Sequence, residues 1–149
     1  VIVRFIEYMD VGNRNGWVMD HVVAGKAVVA RIGEVFPLEP LGRDYRGEVA
    51  ERYRYTDGKG EIGVITSISQ PFCGDCTRAR LSTDGRMVTC LFADEGANLR
   101  DPLRAGASDE DLLGLITGNW QQRTDRYSEE RGLFPPRPKK KVEMYQIGG

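Results

Sequence analysis

Every cysteine of this 149-residue chain falls between Ser69 and Phe92, as Cys73-x-x-Cys76 followed by Cys90. A two-residue spacer lets the backbone fold around one metal ion or cluster, so Cys73 and Cys76 can bind it together. Between Cys76 and Cys90 lies Asp84-Gly85, which supplies φ > 0 turn residues and predicts a hairpin over Leu81 to Cys90. A chain folded back there can return the third sulfur to the first two. The result is three thiolates and no obvious fourth. An odd number of cysteines argues against a disulfide framework and for an intracellular chain with metal-binding or redox thiols.

Three chemistries compete for these thiols. A thioredoxin-like redox pair fits poorly, because a hairpin follows Cys76 where a helix N-terminus would be needed to stabilise a thiolate. Structural zinc needs a fourth ligand, and the only histidine, His21, lies far upstream with nothing to mark it as one. A [4Fe–4S] cluster with one open iron fits best, since the missing thiolate becomes a place for substrate. Arg78 and Arg80 follow directly. In an extended segment both side chains leave one face, and two guanidinium forks there suit phosphate or purine carbonyl recognition. The plainer alternative is a pair of solvent-facing arginines on a hairpin. Arg4 interrupts an apolar strand, where a charge is costly unless paired. Pairing with Glu7 or another internal acid weighs about the same as an anion site.

A formal net charge of −1 exerts no bulk pull toward nucleic acid or anionic membrane. No apolar run approaches the roughly 20 residues that span a bilayer, and no secretory signal is visible. Val1 to Met9 reads as a buried strand, and its abrupt start suggests a fragment entered from upstream. Asp10 to Gly16 reads as a loop. A loose helix is expected from Met19 to about Phe36, weakened by Gly25 and Gly33 and ended by Pro37-Leu-Glu-Pro40. Glu48 to Tyr55 and Glu61 to Ile68 read as strands joined by a turn at Thr56 to Gly60. Ser108-Asp-Glu-Asp111 opens a helix whose apolar face would be Leu112, Leu113, Leu115, Ile116 and Trp120. Pro135, Pro136 and Pro138 with Lys139 to Lys141 then form an extended basic segment, for which a solvated charge run is the default reading.

With those residues in view, the chain resembles the C-terminal part of the GTP 3′,8-cyclase family, radical S-adenosylmethionine enzymes of molybdenum-cofactor biosynthesis. The likeness lies in Arg4-Phe-Ile-Glu-Tyr-Met9, Asn15-Gly-Trp17, Pro71-Phe-Cys-Gly-Asp-Cys76, Arg78-Ala-Arg80-Leu, Asp84-Gly85, Cys90-Leu-Phe92 and the terminal Gly148-Gly149. The resemblance implies that Cys73, Cys76 and Cys90 hold the family's second [4Fe–4S] cluster, whose open iron contacts the purine of GTP. Arg78, Ala79 and Arg80 would line the GTP site, and Arg4 would face the phosphates from inside a barrel. Met9 would contact S-adenosylmethionine through its backbone, and Gly148-Gly149 would reach into the active site.

The implied fold class is α/β: the C-terminal end of an incomplete (β/α) TIM-like barrel plus an α+β region carrying the cluster. Residues 1–47 would be the last barrel strand and its helix, and residues 48–149 the cluster- and GTP-binding region with the Gly-Gly tail. The family's N-terminal Cys-x-x-x-Cys-x-x-Cys motif is absent from this chain, and Thr77 stands where many members carry Asn. In the complete enzyme, as the resemblance implies, a radical generated from S-adenosylmethionine abstracts the C3′ hydrogen of GTP. Closure onto C8 then gives (8S)-3′,8-cyclo-7,8-dihydroguanosine 5′-triphosphate. The expected partners are GTP, the upstream radical S-adenosylmethionine barrel and a downstream pterin synthase step, with no nucleic acid and no membrane. A homodimer is compatible with this, and the expected location is cytoplasmic. The chain alone is expected to be inactive. The competing readings are a non-catalytic, zinc-stabilised interaction module and an inactive truncated homologue.

Overall fold

The computed structural model describes residues 1–133 and 141–147. Pro135, Pro136, Pro138, Lys139, Lys140, Gly148 and Gly149 therefore lie outside the described residues. The fold is mixed α/β and divides into two compact units, Val1–Asp10 with Trp17–Cys76 and Val11–Gly16 with Thr77–Gly149. Position 47, the boundary read from the sequence, lies inside the first unit, because the strands on either side of it share one sheet. No helix among the described residues is long and apolar enough to cross a membrane.

The first unit is a four-stranded sheet made of β1 (Val3–Ile6), β2 (Leu38–Leu41), β3 (Glu51–Tyr55) and β4 (Glu61–Ile65), ordered β1-β4-β3-β2. β1 runs parallel to β4, and the other two pairings are antiparallel. The long connection that a parallel pair requires runs from β1 through helix α1 (Gly25–Gly33), β2 and β3 before reaching β4. Central β4 reads as a continuous apolar run because Ile62, Gly63 and Val64 are all buried, and Ile62, Val64, Ala50 and Ile68 form the core of this unit.

Three expectations change in this unit. β1 is not a buried strand: it stands at the sheet edge, with Val3 53% and Ile6 57% exposed. The long helix is instead a 3-10 turn at Met19–His21 and the shorter α1. Gly25 opens α1, and a Cβ there would meet Val64 Cγ1 at 2.5 Å and Thr66 Cγ2 at 2.7 Å, so glycine permits the helix to close on β4. Finally, Leu38–Leu41 is a strand despite Pro40, which is tolerated because β2 is the opposite edge.

The second unit holds a three-stranded antiparallel sheet, β5 (Arg80–Leu81), β6 (Arg86–Val88) and β7 (Ala97–Asn98). Helices α2 (Arg100–Arg104), α3 (Asp109–Gln121) and α4 (Tyr127–Glu130) follow. Its buried apolar residues are Met87, Val88, Phe92 and Ile147. The expected hairpin forms around Thr83-Asp84-Gly85, with Ser82 N donating to Arg86 O at 2.9 Å. Only Gly85 has positive φ (+77°), so this is a three-residue loop ending in a left-handed glycine, not a two-residue turn with Asp84 at φ > 0. The start of α3 is as expected: Ser108 Oγ accepts from Asp111 N, and Asp111 accepts from Ser108 N at 3.0 Å. On its apolar face, Leu113, Leu115 and Ile116 are 62%, 44% and 37% exposed.

Candidate functional site

The first group of candidate residues is built on β1. Strand alternation places Val3 and Phe5 opposite Ile62 and Val64, and Arg4 opposite Gly63. α1 lies against Val64 and Thr66, so Arg4 belongs to the opposite face. There the missing side chain of Gly63 makes room: a Cβ on it would meet Arg4 Cγ at 3.2 Å. Arg52 pairs with Gly63 from the other side and shares that face. Arg52 donates to Glu61 at 2.9 Å and also contacts Asp44, and these carboxylates push its pKa upward. Sequence reading singled out Arg4 and missed Arg52, whose only signal was its position two residues before Arg54 in an alternating strand.

Glu7 is not a partner of Arg4. The two are three residues apart, an odd separation that sends strand side chains to opposite faces. Glu7 is instead buried, 4% exposed, on the α1 side. Its Oε1 accepts from Gly25 N at 2.7 Å and Ser69 Oγ at 2.6 Å. Its Oε2 accepts from Ile68 N and Ser69 N, both at 2.8 Å. Burial alone would raise its pKa, but the Ser69 hydroxyl and the three backbone amides outweigh that and hold it below the usual carboxylate value. Just beyond Glu7, Trp17 Nε1 donates to Tyr8 O at 2.7 Å, which fixes the backbone next to Met9.

The segment after β4 carries the first two thiols. Gln70 N donates to Thr66 O at 3.1 Å, and Cys73–Asp75 forms a 3-10 turn with Cys76 N donating to Cys73 O at 3.3 Å. Arg43 pairs with Asp75 at 2.9 Å on the outside of this turn. Cys73 and Cys76 belong to the first unit and Cys90 to the second; all three are half-buried and outside any disulfide. Among the described residues no group of three or more metal-ligating side chains is gathered. His21 is exposed at the end of its 3-10 turn.

The donor chemistry nevertheless suits an iron–sulfur group. The set is three sulfurs, and Cys90 Sγ accepts from Phe92 N at 3.5 Å, the kind of amide bond that tunes cluster sulfurs. Arg80 lies in β5 opposite Val88, whereas Arg78 and Ala79 lie outside regular structure and are exposed. The same-face placement expected of Arg78 and Arg80 in an extended strand therefore does not follow from β5.

Two features of the second unit escaped the sequence reading. The Phe92 and Tyr127 rings stack at 4.4 Å, with Lys141 Nζ 4.7 Å from the Tyr127 centroid and Arg131 5.4 Å from both rings. Lys141 thus packs on aromatic faces instead of standing in solvent. Beside Lys141, Asn13 closes a clasp between segments far apart in sequence: its Nδ2 donates to Lys141 O at 2.8 Å, and its Oδ1 accepts from Lys141 N at 3.0 Å. Glu143 Oε1 accepts from Asn13 Nδ2 at 2.8 Å and Asn13 N at 3.2 Å. Gly12, at φ +65°, leaves the space that the Glu143 carboxylate occupies.

Comparison with known proteins adds a second line. The family model described as Molybdenum Cofactor Synthesis C matches residues 1–129, which include all three cysteines and Arg4, Arg78 and Arg80. A protein named GTP 3′,8-cyclase from Synechococcus sp. (strain WH7803) is 51% identical over 150 residues, covering 100% of this chain and 42% of the relative. Its namesake from Acidothermus cellulolyticus is 54% identical over 136 residues, 89% of this chain and 38% of the relative. A third, from Xanthomonas campestris pv. campestris (strain B100), is 47% identical over 148 residues, 99% of this chain and 43% of the relative. The chain spans roughly two-fifths of the length of these relatives.

Proposed function

The chain belongs to the Molybdenum Cofactor Synthesis C family, and from that premise we propose that it is the GTP- and cluster-holding part of a GTP 3′,8-cyclase. The complete enzyme would convert GTP to (8S)-3′,8-cyclo-7,8-dihydroguanosine 5′-triphosphate, which a pterin synthase step would then consume. The observation that carries this reading is the family match over residues 1–129, which takes in the thiols and the arginines together. The face of the sheet supports it: Arg4 lies opposite Gly63 on the side away from α1, as a residue directed into a barrel would. Residues 1–47 would then contribute the last strand of that barrel, with the exposed outer edge of β1 continuing to the upstream part.

Cys73, Cys76 and Cys90 would hold a [4Fe–4S] cluster, which when bound supplies an iron with an open position for the purine. The chain's own residues do the positioning. Arg78 and Arg80 would bind GTP through charge-assisted hydrogen bonds, with Ala79 between them leaving room for the nucleotide. Arg4 would take the phosphates, and the Met9 backbone would meet S-adenosylmethionine. Gly148-Gly149 would enter the pocket without the bulk of side chains. Holding the ribose in a reactive orientation is this region's share of catalysis. We place the cleavage of S-adenosylmethionine outside it, so that the 149-residue chain alone has no turnover.

Equilibrium binding of GTP to the anaerobically reconstituted chain tests the assignment. Arg78→Ala or Arg80→Ala should weaken binding about tenfold or more, the scale of one lost bond to a charged group. Unchanged affinity in both variants would remove these arginines from the site.

A further inference from the structure

Glu7 is a costly residue for its position. Strand alternation gives it the α1 side with Val3 and Phe5, where an apolar side chain would bury without desolvating a charge. An ionised carboxylate accepts only, and here its two oxygens take four donors at 2.6 to 2.8 Å. No cation is among them. Two of the donating residues, Ile68 and Ser69, begin the segment that leads to the paired thiols. That segment has little slack: the Thr66 to Gln70 turn is closed by its own backbone bond, Pro71 restricts φ, and the Cys73–Asp75 turn follows at once.

We propose that Glu7 is a positioning residue for Cys73 and Cys76: its carboxylate ties the Ile68–Ser69 backbone to the end of β1 and to the N-terminus of α1, and so fixes where the Cys-x-x-Cys turn begins. Its importance for the reaction rests on the reading that these thiols hold a cluster, but the placement itself does not. Neutral glutamine cannot replace it, because one of its two positions becomes an NH2 facing a buried N–H.

The test uses the reduced, metal-free chain. Pulsed alkylation with iodoacetamide, resolved by mass spectrometry, gives the rates at Cys73 and Cys76 relative to Cys90, which belongs to the other unit. Hydrogen exchange at the β3 and β4 amides reports the integrity of the sheet. Glu7→Gln should raise the Cys73 and Cys76 rates about fivefold relative to Cys90, the factor corresponding to one net hydrogen bond, with β3–β4 protection retained. Ser69→Ala, which removes one bond of the four, should move the ratio the same way by less, and it carries the test alone if Glu7→Gln does not fold. Unchanged ratios, or a rise matched by loss of β3–β4 protection, would overturn the proposal. Failure of the wild-type chain to take up iron would instead refute the cluster reading and leave this comparison standing.

Discussion

Glu7 and Glu143 solve the same problem in different surroundings. Each carboxylate joins segments distant in sequence by accepting backbone amides beside a glycine: Glu7 beside Gly25, and Glu143 beside Gly12. Glu7 is buried and takes four donors, whereas the bonds of Glu143 and Asn13 are exposed to water. When a buried acceptor is removed, its donors are left with neither protein nor solvent, and each costs about 1–3 kcal/mol. An exposed acceptor is replaced by water at much smaller loss. Similar hydrogen-bond diagrams thus mark a joint that is costly to break in the first unit and a clasp that is cheaper to break in the second.

The largest effect should come from Glu7→Ala, which strands three amides; unfolding of the first unit in urea should lose about 3–4 kcal/mol. The pH dependence follows in sign from the lowered pKa of Glu7. Its contribution is complete above the unfolded carboxylate value and is lost as pH falls through the lower folded value. Glu7→Gln should flatten that part of the acid limb of a stability–pH curve. Next in size is Gly25→Ala, where the new Cβ meets Val64 and Thr66; about 1–3 kcal/mol is expected from overpacking in thermal or urea unfolding. The smallest effect belongs to the clasp. Asn13→Ala or Glu143→Gln should cost under about 1 kcal/mol globally, yet speed hydrogen exchange at Lys141 and Asn13. A global loss at Glu143 equal to that at Glu7 would break the comparison.

Much of the first unit was legible because its signals are local. The β-branched run read as a strand over Glu61 to Ile68 forms one over Glu61–Ile65, and the alternation over Glu48 to Tyr55 forms one over Glu51–Tyr55. The parity of positions 4 and 7 was also legible: a strand assignment already forbids an Arg4–Glu7 pair. β2 was missed because Pro40 reads as a breaker until the strand is known to be an edge. Gly25 was read as a weakness of the helix, since its value depends on how closely Val64 approaches. The clasp was illegible for another reason. Asn13 and Glu143 are 130 residues apart, and no pattern in either segment points to the other. For the proposed site, the spacing of Cys73, Cys76 and Cys90 carries the cluster reading, whereas the backbone that leads to the first two is bonded by a glutamate sixty-one residues before Ile68.

The most direct test of the account is the metal content of the chain after anaerobic reconstitution, measured beside Cys73→Ala, Cys76→Ala and Cys90→Ala. If the three thiols hold one cluster, the wild-type chain should carry about four iron and four sulfide with brown, iron-dependent absorbance, and each variant should lose it. One zinc per chain with no iron-dependent absorbance would contradict the account and favour a zinc-stabilised interaction module.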